Sequence, residues 1–157
     1  MAIGCWLLAA GIDTLCSQRP EAKRQKSLNM RNFKNYEIWI DSIELTDIIY
    51  DICEKFPQKE VYQLESQMER AVVSIPSNIA EGAGRRSEAE FAHFLDVALG
   101  SAYELETQLI IAHRRKYLSD EIYRSTDELI VSLQKRIGSF IVTLTESKAS
   151  GLGRVSQ

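Results

Sequence analysis

The chain has 157 residues, of which 45% are hydrophobic and 26% charged, a composition typical of one globular domain. Three prolines and eight glycines provide few breaks, so a few long elements are favoured over many short strands. The formal net charge is −3, but residues 1–29 carry four cations and two carboxylates, which leaves the remaining residues at −5. An acidic body argues against sequence-independent wrapping of nucleic acid, although a local basic patch can still bind it.

The first 29 residues differ from the rest of the chain. Residues Ile3–Ile12 are apolar, but they are too few to cross a bilayer. A secretion signal has a positive charge before its apolar segment, and no Lys or Arg precedes Ile3. We interpret residues 1–29 as a leader that is disordered or not native, with the natural protein beginning near Met30. A genuine signal and a peripheral segment are the alternatives. Residues 30–150 are predicted to form the folded domain, and residues 151–157 a frayed tail.

The three cysteines are scattered. Cys5, Cys16 and Cys53 have no metal-binding or redox spacing, so we expect reduced thiols. Cys53 falls at a core position of a predicted helix and is expected to be buried and unreactive. These features predict a cytoplasmic protein without a membrane partner.

The first two predicted helices carry long apolar stripes. The first runs from about Tyr36 to Lys55, and its apolar arc is wider than one core contact needs. Its stripe contains Tyr36, Ile40, Ile43, Tyr50 and Cys53, with Ile38, Leu45, Ile48, Ile49 and Ile52 beside it. The second runs from about Lys59 to Ala83 with core positions Leu64, Met68, Val72, Ile75 and Ile79. Pro76 removes a backbone donor, so we expect a kink or local loosening there.

The last two predicted helices begin with clear caps. Ser87 and Glu90 form a capping box at the start of the third helix, and Ser119 caps the fourth. The third helix has a heptad-like core of Phe91, Leu95, Ala98, Ala102, Leu105, Leu109 and Ala112. Its small residues at 100–102 should let a neighbouring helix approach closely. The fourth has a core stripe of Ile122, Leu129, Leu133, Ile137, Phe140 and Leu144.

The connections between these helices are short, which favours antiparallel neighbours. No segment alternates with period two for long enough to form a strand. The sequence therefore predicts an all-α protein folded as an antiparallel up-and-down four-helix bundle.

One segment is more distinctive than the rest. It reads SIPSNIAEG at Ser74–Gly82, followed by Phe94-Leu95, Ala98 and GSAYELE at Gly100–Glu106. Through these motifs the chain resembles the bacterial four-helix-bundle family named after open reading frames in 23S rRNA intervening sequences. The resemblance implies a ring-like homopentamer in a family without an established enzymatic activity. Related accessory proteins of diversity-generating retroelements are similar bundles that bind nucleic acid and a reverse transcriptase, but the acidic body of this chain departs from them.

A polar row accompanies the apolar stripe of the second predicted helix. The row consists of Arg70, Ser74, Asn78 and Glu81. Because these residues are spaced by four, four and three, they share one helical face, about 100° from the apolar stripe. Ser77 and Asn78 can also satisfy carbonyls that Pro76 leaves unpaired. We interpret the row as kink satisfaction or a subunit contact, with a small-molecule site as the alternative. The residues assigned to this signature are Arg70, Ser74, Pro76, Ser77, Asn78, Glu81 and Gly82.

Patterns that carry catalysis are sparse. Glu90 and His93 form a Glu-x-x-His element, but a di-iron site needs two such elements and two further glutamates. His113 has Ile110, not a glutamate, three residues before it. No nucleophile elbow, phosphate-binding loop or dinucleotide fingerprint occurs. We predict a protein that is not an enzyme and needs no metal or cofactor.

Two basic clusters remain. Arg85 and Arg86 lie in the turn before the third predicted helix, and Arg114, Arg115 and Lys116 lie at its far end. About 40 Å separates them at 1.5 Å per residue, so they form no single patch in one subunit. The leading hypothesis is a non-enzymatic homo-oligomeric scaffold, with other copies of the chain as partners. The alternative is an accessory module that binds RNA, DNA or a reverse transcriptase through these clusters.

Overall fold

The computed structural model describes residues 31–57 and 61–151, which contain four α-helices and no strand. A 3₁₀ turn at Phe33–Asn35 precedes the first helix, and a π-helical turn at Val61–Glu65 precedes the second. The helices are α1 (Glu37–Cys53), α2 (Ser66–Ala83), α3 (Glu88–Arg114) and α4 (Asp120–Gly151). The predicted leader, residues 1–29, lies outside the described residues, as does the predicted tail beyond Gly151.

Neighbouring helices run antiparallel, in agreement with the contacts between three pairs of helices: α2 with α3, α3 with α4, and α1 with α4. Gly82 at the end of α2 meets Phe91 at the start of α3, while Ser74, earlier in α2, meets Ser101, later in α3. The Gln134 amide of α4 donates to the Glu106 carboxylate of α3. Arg136 of α4 binds Glu37 and Asp41 near the start of α1. The predicted four-helix bundle is therefore confirmed.

The α2–α3 pair forms the closely packed part of the bundle. The predicted heptad core of α3 is confirmed, since all seven of its residues are fully buried. In α2, Met68, Val72, Ile75 and Ile79 are also fully buried, as predicted. Gly82 explains how the two helices approach: a Cβ there would lie 2.6 Å from the Phe91 ring and 2.8 Å from the Phe94 Cβ. Any larger residue would push the start of α3 away from α2.

The predicted helix starts are confirmed for α3 and α4. The Ser87 hydroxyl accepts from the Glu90 amide, and the Glu90 carboxylate accepts from the Ser87 amide, which completes the capping box. Ser119 accepts from the Ile122 amide at the start of α4. Each cap satisfies backbone donors that a helix N-terminus leaves without an intrahelical partner.

The wide apolar arc of α1 is divided between the core and the surface. Its core face contains Ile38, Ser42, Leu45, Ile49, Ile52 and Cys53. The side chains of Ile40, Ile43 and Tyr50, which belong to the predicted stripe, are instead about two-fifths exposed, at 42%, 36% and 41%. One helix cannot turn both faces toward the same core, so these three residues form a separate apolar surface.

The prediction is wrong for one residue of the α4 core stripe. Leu129 is 47% exposed, whereas its neighbour Ile130 is fully buried. The core face of α4 also contains two polar residues, Thr126 and Gln134, which obscure its period in the sequence. Leu133, Ile137 and Leu144 are buried as predicted, and Phe140 packs at the edge of the core.

Candidate interaction surfaces

The polar row of α2 faces α3 within the same subunit. The Ser74 hydroxyl lies 2.8 Å from the Ser101 hydroxyl, and the Asn78 amide donates to both the carbonyl and the hydroxyl of Ser74. Arg70, at one end of the row, is exposed. Of the small residues predicted to allow a close approach, Ala102 is buried, whereas a Cβ on Gly100 would meet nothing within 4 Å. The middle of the row therefore joins two helices of one bundle.

Pro76 is buried within α2, and side-chain hydrogen bonds are made to the backbone carbonyls of the preceding turn. Proline has no N–H, so the carbonyl four residues earlier, at Val72, loses its usual donor. The Ser77 hydroxyl donates to the Val73 carbonyl at 2.7 Å, and the Asn78 amide donates to the Ser74 carbonyl at 2.7 Å. These side chains support the carbonyls next to the one that proline affects.

The two arginines of the α2–α3 turn differ in their surroundings. The Arg85 guanidinium lies 4.4 Å from the centre of the Phe94 ring and pairs with Glu81 one turn earlier. Arg31 donates to the Arg85 carbonyl at 3.0 Å. Arg86 is exposed. Arg85 is therefore engaged within the turn although its side chain is 40% exposed, and Arg86 is the more exposed of the two cations.

The Ser87–Glu90 capping box adjoins these arginines. Hydrogen bonds from the Ser87 side chain and backbone hold the pKa of Glu90 below its usual range, and the charges of Arg85 and Arg86 act in the same direction. The carboxylate of the predicted Glu-x-x-His element is thus engaged in the cap, while His93 is exposed. No three His, Cys, Asp or Glu side chains gather in a metal-binding arrangement within the described part of the chain.

The basic cluster at the end of α3 lies on a tight turn. Arg114, Arg115 and Lys116 are all exposed. Lys116 has a positive φ of 63°, and its amide donates to the His113 carbonyl while the Tyr117 amide donates to the Ala112 carbonyl. This is the Schellman pattern, with lysine at the position that usually holds glycine.

A histidine and an aspartate join α3 to α4 at the same turn. The His113 Nε2 atom lies 2.8 Å from a carboxylate oxygen of Asp120, and its ring stacks on Tyr123 with centroids 4.2 Å apart. The hydrogen bond with His113, followed by the charge of His113, lowers the pKa of Asp120. The described structure thus presents Arg114, Arg115 and Lys116 on a hydrogen-bonded connection, roughly 40 Å along the 27-residue α3 from Arg86.

An apolar surface on the outside of α1 continues onto α2. Tyr50 and Val73, each 41% exposed, line one shallow groove together with Arg70. Ile40 and Ile43 extend the surface along α1, and we call these four residues the α1–α2 face. α1 carries five carboxylates and no cation. The surface therefore combines apolar side chains with strong negative charge. Its signal in the sequence is the wide apolar arc of α1, but Ile40, Ile43 and Tyr50 were assigned to a core stripe, and Val73 was not singled out.

Comparison with known proteins assigns the family. The sequence profile described as 23S rRNA-intervening sequence protein matches residues 34–139, which is more than half of the chain. The chain belongs to the 23S rRNA-intervening sequence protein family. The resemblance predicted from SIPSNIAEG and GSAYELE is thereby confirmed.

Similar structures agree with this family. A crystal structure from Bacteroides thetaiotaomicron VPI-5482, described as a protein of unknown function from the S23 ribosomal protein family, is 27% identical with a TM-score of 0.63. The match covers 66% of this chain and 97% of that one. A comparison with curated proteins gives no match. Neither the family's description nor the neighbour's names a reaction, and none of the described helices is long and apolar enough to cross a bilayer.

Proposed function

We propose that this member of the 23S rRNA-intervening sequence protein family is a non-enzymatic scaffold that assembles with copies of itself. The observation that carries the proposal is the α1–α2 face, where four apolar side chains, each 36–42% exposed, lie on two neighbouring helices. Burying a whole side chain of this size contributes roughly 1.5–3 kcal/mol, so each of these gains roughly 1 kcal/mol in an interface. Together they contribute roughly 4 kcal/mol to association, and the apolar surface that they cover on the next copy adds to it.

The charge of α1 indicates the geometry of this assembly. Five carboxylates without a cation would repel the same helix of a second copy, so a symmetric α1–α1 contact is disfavoured. Each copy therefore places its α1–α2 face against a different surface of the next copy. Such a heterologous contact produces a closed ring when the rotation allows it. The number of five subunits rests on the family resemblance alone.

Native mass spectrometry and light scattering test the scaffold proposal. The double variant Ile40→Asn/Ile43→Asn should dissociate into monomers at concentrations where the unchanged chain is oligomeric, because it removes two apolar contacts without changing the charge. The matched control is Val142→Asn, since Val142 is 52% exposed on α4, outside the α1–α2 face. A monomeric unchanged chain, or equal dissociation of both variants, contradicts the proposal.

A nucleic-acid-binding accessory role is the second candidate. Its support is the α3–α4 turn, where three consecutive cations are exposed on a well-ordered connection, and an oligomer would repeat this cluster. In this role the partner is RNA or DNA, or a reverse transcriptase bound to it. Arg85 does not contribute to this surface, because it lies at the other end of α3, where its guanidinium contacts Phe94 and Glu81.

Filter binding at increasing salt tests this second role. Affinity for RNA should fall steeply with salt, since each phosphate contact releases counterions. Arg114→Glu/Arg115→Glu should abolish binding, whereas Arg86→Glu, which reverses a cation at the other end of the bundle, should have a smaller effect. The absence of binding at low salt, or equal losses in the two variants, contradicts it.

A further inference from the structure

A groove between α1 and α4 is distinct from both surfaces described above. α1 packs against α2 more extensively than against α4. The gap on the α4 side holds a cavity of about 180 Å³ whose apolar lining is Leu45, Ile48, Leu129 and Leu133. A larger and more open depression of about 540 Å³ shares Arg136 with it and is lined by Tyr36, Ile38, Phe140 and the cation Lys135. We call these two depressions the α1–α4 groove.

A row of carboxylates follows the α1 edge of this groove. Glu37, Asp41 and Glu44 are spaced by four and three residues, so they lie on one side of the helix. Arg136, which lines both cavities, binds Glu37 at 2.6 Å and also pairs with Asp41. Glu44 lies one turn further along and makes no ion pair within the described residues. The groove thus has an apolar floor and a carboxylate at its rim that can receive a cation.

We propose that the α1–α4 groove binds a basic amphipathic helix from another protein. From Glu37 to Ile48 the groove extends about 16 Å, which matches three turns of an α-helix. Apolar side chains of such a helix, at spacings of three and four, would contact Ile48, Leu129 and Phe140, while a lysine or arginine would pair with Glu44. Three carboxylates, Glu37, Asp41 and Glu44, line the groove against two cations, Lys135 and Arg136, so its net negative charge favours a cationic partner over a phosphate backbone.

The backbone of the ligand also favours a helix. An extended peptide exposes its N–H and C=O groups and needs a strand edge to pair with, and the described residues contain no strand. A helix satisfies its own backbone hydrogen bonds, so only its side chains need to fit. Leu129 lines the groove and is 47% exposed, although the adjacent Ile130 is fully buried. A bound helix would cover the exposed part of the Leu129 side chain.

Fluorescence anisotropy with a labelled leucine–lysine peptide of about 18 residues, its leucines at helical spacing, tests the proposal. The unchanged protein should bind this peptide at least about tenfold more tightly than a scrambled peptide of the same composition. Glu44→Gln/Leu129→Asn should weaken binding by about tenfold or more, which corresponds to about 1.4 kcal/mol. The matched control is Asp96→Asn/Val97→Asn, which changes an exposed carboxylate and an exposed apolar residue on α3.

Three outcomes would overturn the proposal. Equal binding of the ordered and scrambled peptides would reduce the effect to net charge. Equal losses in the groove and control variants, with helicity retained by circular dichroism, would remove the groove from the contact. A fall in oligomer mass on Glu44→Gln/Leu129→Asn would assign the groove to a second copy of the chain. The last result would leave the scaffold proposal intact, so the two proposals fail separately.

Discussion

The two sides of the bundle are packed differently. Between α2 and α3, Gly82 allows close approach to Phe91 and Phe94, and the core side chains of both helices are fully buried. Between α1 and α4, larger side chains and the Arg136 ion pairs join the helices around a groove, and Leu129 remains about half exposed. The comparison indicates that the α2–α3 pair forms the tighter part of the core, while apolar side chains of α1 and α4 remain exposed.

The largest expected difference in stability is between two leucine-to-alanine variants, one on each side of the bundle. Leu105→Ala, at a fully buried position of α3, should lower the free energy of unfolding by about 3 kcal/mol because it leaves a cavity. Leu129→Ala, on the groove side, should cost less than about 1 kcal/mol. Urea denaturation measures both values. Equal losses would show that the two sides are packed alike and would break the comparison.

A smaller effect is expected from a pair of glycines. Gly82→Ala should lower stability by roughly 1–2 kcal/mol, because the overlap with Phe91 and Phe94 exceeds the gain in helix propensity. Gly100→Ala, where a Cβ meets nothing within 4 Å, should raise stability by up to about 1 kcal/mol. Thermal unfolding of the two variants gives the sign of each change. A stabilising Gly82→Ala would contradict the close approach of α2 and α3.

The smallest expected effects concern two aspartates on the α3–α4 side. Because the pKa of Asp120 is lowered in the folded state, its contribution to stability is present above the ordinary carboxyl pKa and is lost as the pH falls through the lower folded value. Asp120→Asn should therefore be less stable than the unchanged chain above the ordinary carboxyl pKa, with the difference disappearing as the pH falls through the lower folded value. Denaturation across this range measures the difference, and a pH-independent difference would contradict the ionic contact with His113.

The pKa of Asp127 is shifted in the opposite direction from that of Asp120. Burial, followed by the charges of Glu106 and Glu128, raises its pKa. A raised carboxyl pKa stabilises the fold only at low pH, and this contribution is lost as the pH rises through the folded value. Asp127→Asn should consequently be more stable than the unchanged chain at neutral pH, and this advantage should disappear in acid. A destabilising effect at neutral pH would show that Asp127 makes a favourable contact when ionised.

The sequence was sufficient to predict α3 and the core of α2, but less so α1, α4 and the start of α2. That start was expected near Lys59, whereas Val61–Glu65 forms a π-helical turn and α2 begins at Ser66. Local signals decide α3: the Ser87–Glu90 capping box and the regular spacing of the α3 core both depend on residues within one helix. In α4 the adjacent residues Leu129 and Ile130 are equally apolar, so only contact with α1 and α3 determines which one is buried. Tertiary packing therefore overrides a periodic pattern where the apolar arc is wide or interrupted by polar core residues.

The candidate surfaces were harder to predict than the fold. Arg85 looked equivalent to Arg86 because the Phe94 ring that holds it lies nine residues further along the chain and reaches it only after α3 folds against α2. The pairing of Arg136 with Glu37 and Asp41 joins residues almost 100 positions apart, and no local pattern announces it. The exposed cations Arg114 and Lys116 were identifiable because the end of a helix is usually open to solvent.

The thiol of Cys53 gives this bundle a chemical reporter of its own opening. The side chain is 1% exposed, and burial, reinforced by Glu69 and Glu65, raises its pKa to about 12, so the reactive thiolate is scarce while α1 stays docked. In a variant with Cys5 and Cys16 replaced by serine, the rate of alkylation would measure how often α1 detaches from α2. A ligand that slows this reaction would be one that stabilises the closed bundle.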